Sequence, residues 1–315
     1  MKKYDSANKH AINSCTDNKK FPFGMIWKSV DGFIADAELQ DKSMGTRSQR
    51  SSRDGDNEWA GGSFDDVIEL SKNGWPEGTE NAREVHEKIT KLLYFDDVSI
   101  FQREDNVCGS EPDIARYLSG TPECMVNYSL QPKNKRTSNI VRIFVNVSGN
   151  AGIAGQAFIN RAAAVMAMCW EIHMQGESPE VWFGQLINGS GDEDAYFVQA
   201  TCVMGAGEAF DEESFAFFTG HPAVLRRMIF STQENMNSAA RKSLGVGQGY
   251  GYCSGCGQEE HEAALKEHVE DISGPFDIVI PSLDTMRVNF SDTKESAEWV
   301  VTNLKSVGFQ VTKQT

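Results

Sequence analysis

The clearest pattern of apolar and polar residues lies in the middle of the chain. An apolar, β-branched run from Ile140 to Val147, interrupted by Arg142 and Asn146, predicts a strand buried on both faces of a parallel sheet. A short polar loop follows, and the next 20 or so residues, apolar on nearly every side, predict a buried helix. Strand, loop and helix form the first half of a βαβ unit. The loop at the carboxyl end of the strand is therefore where a function should be sought first.

The alternation of strands and helices continues to the end of the chain. Apolar runs predict strands at 180–187, 196–204 and 276–283, with helices between and after them. Residues 136–315 are therefore predicted to form an α/β domain with a central, mostly parallel sheet and helices on both faces. Within its buried helix, Trp170 is expected to lie beside the central strand.

The residues before this domain are predicted to form two parts. Residues 58–135 contain a strand and several helices, for which Ser63 and Thr79 are the expected N-caps, and this indicates a smaller α+β region. Residues 1–57 are predicted to be a mobile arm and linker, because residues 41–57 are rich in Ser, Arg and Asp and lack apolar periodicity. Within the arm, Asp31-Gly32 between two apolar runs predicts a hairpin. A tail with one local turn explains the same pattern equally well.

Composition narrows the class of function. With 315 residues, 40% of them hydrophobic, the chain can bury a sizeable core. It contains no run typical of a membrane span or a secretory signal. The net charge of −15 disfavours nucleic acid as a partner, because an acidic body repels phosphate groups. Seven irregularly spaced cysteines are typical of reduced thiols, so a cytoplasmic setting is expected.

The loop after the first strand carries the main candidate site. It reads NVSGN from Asn146 to Asn150, and Asp284 directly follows the strand at 276–283. Together with the order of elements, this resembles a von Willebrand factor A-like domain, in which a D-x-S-x-S loop and a later Asp bind a divalent cation. The resemblance implies a Mg²⁺ site at Asn146, Ser148, Asn150 and Asp284. However, Mg²⁺ prefers anionic oxygen ligands to asparagine amides. Turn hydrogen bonds and helix capping are therefore the favoured role of these side chains.

A second resemblance concerns three short motifs. They are W-x-G-G-S-F at Trp59–Phe64, G-W-P-E-G at Gly74–Gly78 and NRAA at Asn160–Ala163. These motifs look like those of an uncharacterised family of phage and plasmid proteins. The resemblance implies a phage or mobile-element origin and a host-cell setting, and it transfers no catalytic residues.

The CxxC pair Cys253 and Cys256 is a candidate zinc or redox site. His261 and His268 follow it, but they are seven residues apart, about 10.5 Å along a helix, and cannot both bind one tetrahedral ion. Two ordinary thiols in a loop are therefore the favoured interpretation.

An acidic stretch is the candidate surface for a protein partner. Residues 192–213 contain seven Asp or Glu and no Lys or Arg. Asp211, Glu212 and Glu213 at its end are the predicted contacts for a basic partner, whose association they would accelerate.

No catalytic motif is found, so an enzyme activity is not predicted. The predicted function is a phage- or mobile-element-encoded, non-enzymatic protein-binding module, which could block a host protein complex such as a defence system. It is expected to need no cofactor, and self-association is compatible with it. The alternative is a metal-dependent enzyme or binder that holds Mg²⁺ at the N-x-S-x-N loop or Zn²⁺ at the CxxC pair.

Overall fold

The computed structural model describes residues 4–6, 9–12, 22–39, 52–54, 56–95, 99–132, 139–188, 196–236, 265 and 274–313. Its strands are β1 Tyr4–Ser6, β2 Lys9–Ile12, β3 Pro22–Trp27, β4 Leu93–Phe95, β5 Ser99–Asn106, β6 Glu111–Pro112, β7 Met125–Pro132, β8 Ile140–Asn146, β9 Ser178–Asn188, β10 Tyr196–Met204, β11 Ile278–Ile280 and β12 Val311–Lys313. Its helices are α1 Val30–Glu38, α2 Asn57–Ala60, α3 Phe64–Asn73, α4 Pro76–Thr90, α5 Ile114–Leu118, α6 Gly155–Met174, α7 Glu212–Gly220, α8 Phe230–Glu234 and α9 Thr293–Ser306. A π-helical stretch, Val224–Ile229, leads directly into α8 and is called the π-segment below.

A seven-stranded sheet lies at the centre, with its strands in the order β1-β2-β3-β10-β9-β8-β11. In the five strands from β3 to β11, the pairings β3–β10, β9–β8 and β8–β11 are parallel, and β10–β9 is antiparallel. The antiparallel strands β1 and β2 extend the sheet beyond β3. Two smaller sheets, β5-β7-β6 and β4-β12, lie outside it.

Apolar side chains cover the sheet on both faces. Val141, Ile143 and Val145 of β8 belong to a large cluster, and Phe144 belongs to a smaller one, because successive side chains of a strand point to opposite faces. The large cluster includes residues of α1, α3, α4, α6, α7, the π-segment and α9. Leu265, in helical conformation, joins the smaller cluster. The predicted α/β class, with a mostly parallel central sheet flanked by helices, is confirmed.

The buried helix α6 lies where the sequence predicted, but Trp170 does not. Its side chain is only half-buried. The indole packs edge-on against Phe210, with ring centroids 5.7 Å apart, and it stacks near His86 of α4, with centroids 6.2 Å apart. The predicted position beside the central strand is wrong, because a helix that is apolar on nearly every side does not reveal which side faces the sheet.

Residues 22–38, which the sequence analysis placed in the arm, belong to the central sheet and its core. β3 pairs with β10 from Tyr196↔Pro22 to Thr201↔Trp27. The helix α1 buries Phe33 edge-on against Phe183 of β9, with ring centroids 5.4 Å apart. These are contacts between residues far apart in sequence, and no local pattern could indicate them.

Asp31 and Gly32 do not form the predicted hairpin. They lie in the first turn of α1, where the Ser29 hydroxyl accepts a hydrogen bond from the Gly32 backbone N–H. The error has a physical reason: Ser and Asp side chains accept backbone hydrogen bonds at the start of a helix as well as in a turn, and Gly is tolerated in both places.

The end of the predicted linker at 41–57 is also part of the body. Ser52 is fully buried, and its backbone N–H donates to Oε1 of Glu234, with N and O 3.0 Å apart. A single apolar cluster contains Met25, Phe64 and Val145, one from each predicted part of the chain. The boundaries at 57/58 and 135/136 therefore divide residues that share one core. No helix in the described part of the chain is long and apolar enough to cross a membrane.

Candidate functional site

The loops that follow β8 and β11 meet at one edge of the sheet. The two strands are parallel neighbours, so their carboxyl ends lie side by side. The Leu283 backbone N–H donates to the Ser148 carbonyl, with N and O 3.1 Å apart, and this bond ties the two loops together. Asn146, Ser148, Asn150 and Asp284 are thereby brought together at this edge, and the loops at 147–154 and 281–292 are called the carboxyl-end loops below.

Asparagine side chains hold the carboxyl-end loops closed. The Asn150 side-chain amide and backbone N–H both donate to Oδ1 of Asp284, the latter at an N–O distance of 3.1 Å. Oδ1 of Asn150 accepts from the Gly152 backbone N–H at 2.8 Å, and Oδ1 of Asn146 accepts from the Ser148 N–H at 3.0 Å. The two asparagines thus make turn hydrogen bonds.

A divalent cation fits this arrangement poorly. Asp284 is the only carboxylate among the four candidate residues, its Oδ1 already accepts two hydrogen bonds from Asn150, and the other candidate ligands are neutral oxygens. Within the described residues, no group of three or more His, Cys, Asp or Glu side chains is arranged to hold a metal ion.

A buried arginine lies beside the same loop, and the sequence analysis did not select it. Arg161 of α6 is 0% exposed, and its Nη1 donates to the Asn146 carbonyl at 2.8 Å. Within the described part of the chain its Nε and Nη2 have no hydrogen-bond partner, and burial lowers the pKa of its guanidinium to about 9. The available signal was a charged residue, in the NRAA motif, on a helix that is otherwise apolar on nearly every side.

The Ser148 hydroxyl is a second buried polar group without a partner. The residue is 0% exposed, and its Oγ makes no hydrogen bond. Its backbone N–H bonds to the Asn146 side chain and the Arg161 guanidinium bonds to the Asn146 carbonyl, so both unsatisfied groups belong to residues that contact Asn146.

A second guanidinium and an exposed tryptophan complete the site. The guanidinium carbons of Arg161 and Arg226 both lie near the Phe158 ring, 5.8 and 5.5 Å from its centroid. Arg226 donates through Nη2 to the Ile153 carbonyl at 2.8 Å, and its guanidinium carbon lies 4.4 Å from the centroid of the Trp59 ring. The Trp59 indole N–H donates to the Ala151 carbonyl at 2.9 Å, although the residue is 39% exposed.

The W-x-G-G motif has a structural explanation at this edge. Gly61 ends α2 with φ = 89°, a left-handed conformation that disfavours other residues. A Cβ atom there would lie 3.0 Å from Pro222 and 3.1 Å from the His221 ring. The motif therefore lets the Trp59 segment approach the loop between α7 and the π-segment.

The predicted acidic contact residues are largely engaged within the fold. The Asp211 side chain caps α7 by accepting from the Ser214 N–H at 3.2 Å. Glu212 pairs with Arg83 of α4, and Glu213 lies against Gly74. Reversing these charges would therefore disturb α7 and its contact with α4. Whether they contact a partner stays a prediction, and residues 192–194 lie outside the described residues.

The predicted CxxC site, Cys253 and Cys256, lies outside the described residues, as do His261 and His268.

Comparison with known proteins gives a family but no activity. A family model described as a domain of unknown function, DUF7192, matches residues 8–308. No curated protein and no solved structure matches the chain.

Proposed function

This chain belongs to the DUF7192 family, a domain of unknown function, and we propose its function from the geometry of the site. We propose that it is a non-enzymatic protein-binding module that recognises its partner without a bound cation. The observation that carries the proposal is the contact of Asn150 with Asp284. The Asn150 amide and backbone N–H both bond to one oxygen of that carboxylate, Oδ1, and they tie the two loops together. The loops are therefore pre-formed without metal.

The order of strands supports a degenerate von Willebrand factor A-like domain as the scaffold. Strands β10, β9, β8 and β11 lie side by side, and β10 is the antiparallel member. The sequence resemblance implies an antiparallel pair at the edge of the sheet, whereas here the pair of β9 and β10 lies inside the sheet because β3 is added to β10. The candidate loop follows β8, the neighbour of β9. In open α/β sheets the carboxyl end of the strands is where ligands bind.

Trp59 is the proposed anchor for the partner. Its ring is exposed, yet its indole N–H bond to Ala151 and the Arg226 guanidinium fix its position. A rigid, partly exposed tryptophan loses little entropy on binding, and tryptophans are enriched among the residues that dominate binding energy. The proposed contact surface is therefore Trp59 with the neighbouring loop residues 150–152.

The partner is proposed to be a host protein or protein complex, which a phage- or mobile-element-encoded module would block. A defence complex is one such target. The support for this step is the resemblance of the three sequence motifs to phage and plasmid proteins. Self-association of the module also stays a prediction.

Affinity capture tests the proposal. Tagged full-length protein is incubated with host-cell lysate in the presence of either EDTA or Mg²⁺, and retained proteins are identified by mass spectrometry. We expect equal capture in both, and at least a tenfold loss for Trp59→Ala, as for a hot-spot residue. Tyr117→Ala is the control, since Tyr117 of α5 is an exposed aromatic outside the carboxyl-end loops. Capture that requires Mg²⁺, or that survives Trp59→Ala, would contradict the proposal.

The alternative is a metal-dependent binder or enzyme, and the buried Ser148 hydroxyl without a partner favours it. Calorimetric titration with Mg²⁺, Mn²⁺ and Zn²⁺ tests this alternative, with Asp284→Ala as the comparison. Saturable binding that disappears in Asp284→Ala would displace the cation-free proposal. Zn²⁺ binding that persists in the Asp284→Ala variant but is lost in the Cys253→Ser variant would assign the ion to the CxxC pair instead.

A further inference from the structure

The guanidinium of Arg161 presents one complete edge without a protein partner. Nη1 is used by the Asn146 carbonyl, which leaves Nε and Nη2 unbonded. These two nitrogens lie on the same side of the planar group and point their N–H bonds in parallel. Such an edge matches the two oxygens of a carboxylate, and a bidentate pair of this kind is among the strongest hydrogen-bonded contacts in proteins.

We propose that this edge of Arg161, together with the Ser148 hydroxyl, binds the carboxylate group of a small ligand. This inference goes beyond the proposed function, because it concerns a ligand held beneath the carboxyl-end loops and not the exposed Trp59 surface. The ligand that the sequence resemblance implies is a cation, whereas the ligand inferred here is an anion.

The energetics of burial support an anionic ligand. A buried charge without a counter-charge destabilises a protein, because the charged group loses its favourable hydration free energy. A counter-charge and hydrogen bonds are needed to offset that loss. Arg161 and Ser148 are both 0% exposed. Burial lowers the pKa of Arg161, and among the described residues no carboxylate acts to raise it. A bound carboxylate would supply the missing charge and acceptors.

The surroundings of Arg161 are also electropositive. The N-terminus of the 20-residue helix α6 lies at this edge, and Ala154 at its N-cap makes no side-chain cap bond. The first N–H groups of a helix favour negative charge. Arg226 brings a second guanidinium near Phe158, and within the described residues its buried Nε also lacks a hydrogen-bond partner.

The ligand is expected to be small. The Gly149 Cα lies so close to Phe158 that an added Cβ would be 2.8 Å from the end of the ring, which leaves little room beneath the loop. Formate and acetate are therefore suitable probes.

The test measures formate and acetate binding to the full chain by calorimetry, and thermal unfolding in sodium formate or acetate against sodium chloride of equal ionic strength. We expect saturable binding and a higher melting temperature in the carboxylate salts. Arg161→Lys keeps the charge but loses the two-pronged edge, so its affinity should fall at least tenfold. Arg142→Lys is the matched control, because Arg142 lies at the other end of β8 and is already paired with Glu180 at 3.3 Å.

Ser148→Ala provides a second variant in case Arg161→Lys does not fold, and we expect it to bind at least threefold more weakly. Equal melting temperatures in chloride and carboxylate salts would overturn the proposal. So would unchanged affinity in Arg161→Lys or, if that variant is unfolded, in Ser148→Ala. Tighter binding of inorganic phosphate than of formate would overturn the assignment to a carboxylate.

Discussion

Replacing Arg227 by Met should release the segment Ser52–Gly62 from the π-segment. Arg227 is 1% exposed and donates four hydrogen bonds to this segment. Nη1 bonds to the carbonyls of Ser52 and Asp54 at 3.0 and 2.9 Å, Nε to the carbonyl of Gly62 at 3.1 Å, and Nη2 to Oδ1 of Asn57 at 2.8 Å. Met fills much of the same volume but can replace none of these bonds.

The expected loss of unfolding free energy follows from the four acceptors. A buried acceptor left without a partner costs about 1–3 kcal/mol, and this applies in full to the Ser52 carbonyl, whose bond to Arg227 is buried. The other three bonds are partly buried, so water can replace part of each, and about 0.5–1.5 kcal/mol per bond is a reasonable estimate. Arg227→Met should therefore cost roughly 2.5–7.5 kcal/mol, a large fraction of the 5–15 kcal/mol typical of a native protein.

Urea unfolding followed by tryptophan fluorescence measures the global effect, and trypsin digestion measures the local one. In the wild-type protein the Arg53 guanidinium is bonded to the Ala37 and Glu38 carbonyls, so cleavage after Arg53 should be slow. It should become fast in Arg227→Met. Arg83→Met, which removes an arginine that is mostly exposed, should stay within about 1 kcal/mol of wild type. An Arg227→Met protein with an unchanged urea midpoint and protected Arg53 would refute the reasoning.

Three further changes have expected outcomes. Gly184→Ala should cost more than about 3 kcal/mol in urea unfolding, because the added Cβ would lie 1.8 Å from the Gln199 carbonyl oxygen. Gly155→Ala is the control and should be close to neutral, because its added Cβ meets only a side chain at 3.5 Å. Equal urea midpoints for the two variants would contradict this. Trp170→Ala should cost about 2 kcal/mol, below the 3–5 kcal/mol of a fully buried tryptophan, and a larger loss would indicate deeper burial. Burial lowers the pKa of His221 from 6.5 to about 4, so stability should be complete above about pH 6.5 and fall by roughly 2–3 kcal/mol as the pH approaches 4. His221→Gln, compared by urea unfolding at several pH values, should lack this part of the pH dependence.

The parts of the fold that the sequence could predict are those set by local patterns. The β-branched run of β8, the mostly apolar surface of α6 and the Ser63 cap of α3 all rest on neighbouring residues. Where two local signals compete, prediction is less secure: Thr79 was the expected cap of α4, but Pro76 occupies the first turn and the helix begins there. The pairing of β3 with β10 depends on long-range contacts and was not predictable.

The candidate site was predictable in position but not in its chemistry. Strand order places Asp284 beside the loop from Asn146 to Asn150, and the structure brings these residues together. The contribution of Arg161 depends on the side of α6 that faces the end of β8, which an apolar helix does not indicate. The positions of Trp59 and Arg226 depend on contacts between residues 167 apart in sequence.

The parallel pairing of β3 with β10 has a consequence for synthesis of the chain. Trp27 leaves the ribosome roughly 170 residues before Tyr196, and at typical elongation rates this is a delay on the order of 10–30 s. During that time the apolar strand Pro22–Trp27 has no parallel partner, and β10, once made, is an open edge until β3 is added to it. Unpaired edges of this kind promote association between chains. The nascent protein should therefore depend on chaperones most strongly before residue 204 has emerged, and chains lacking residues 1–27 should aggregate through the bare edge of β10.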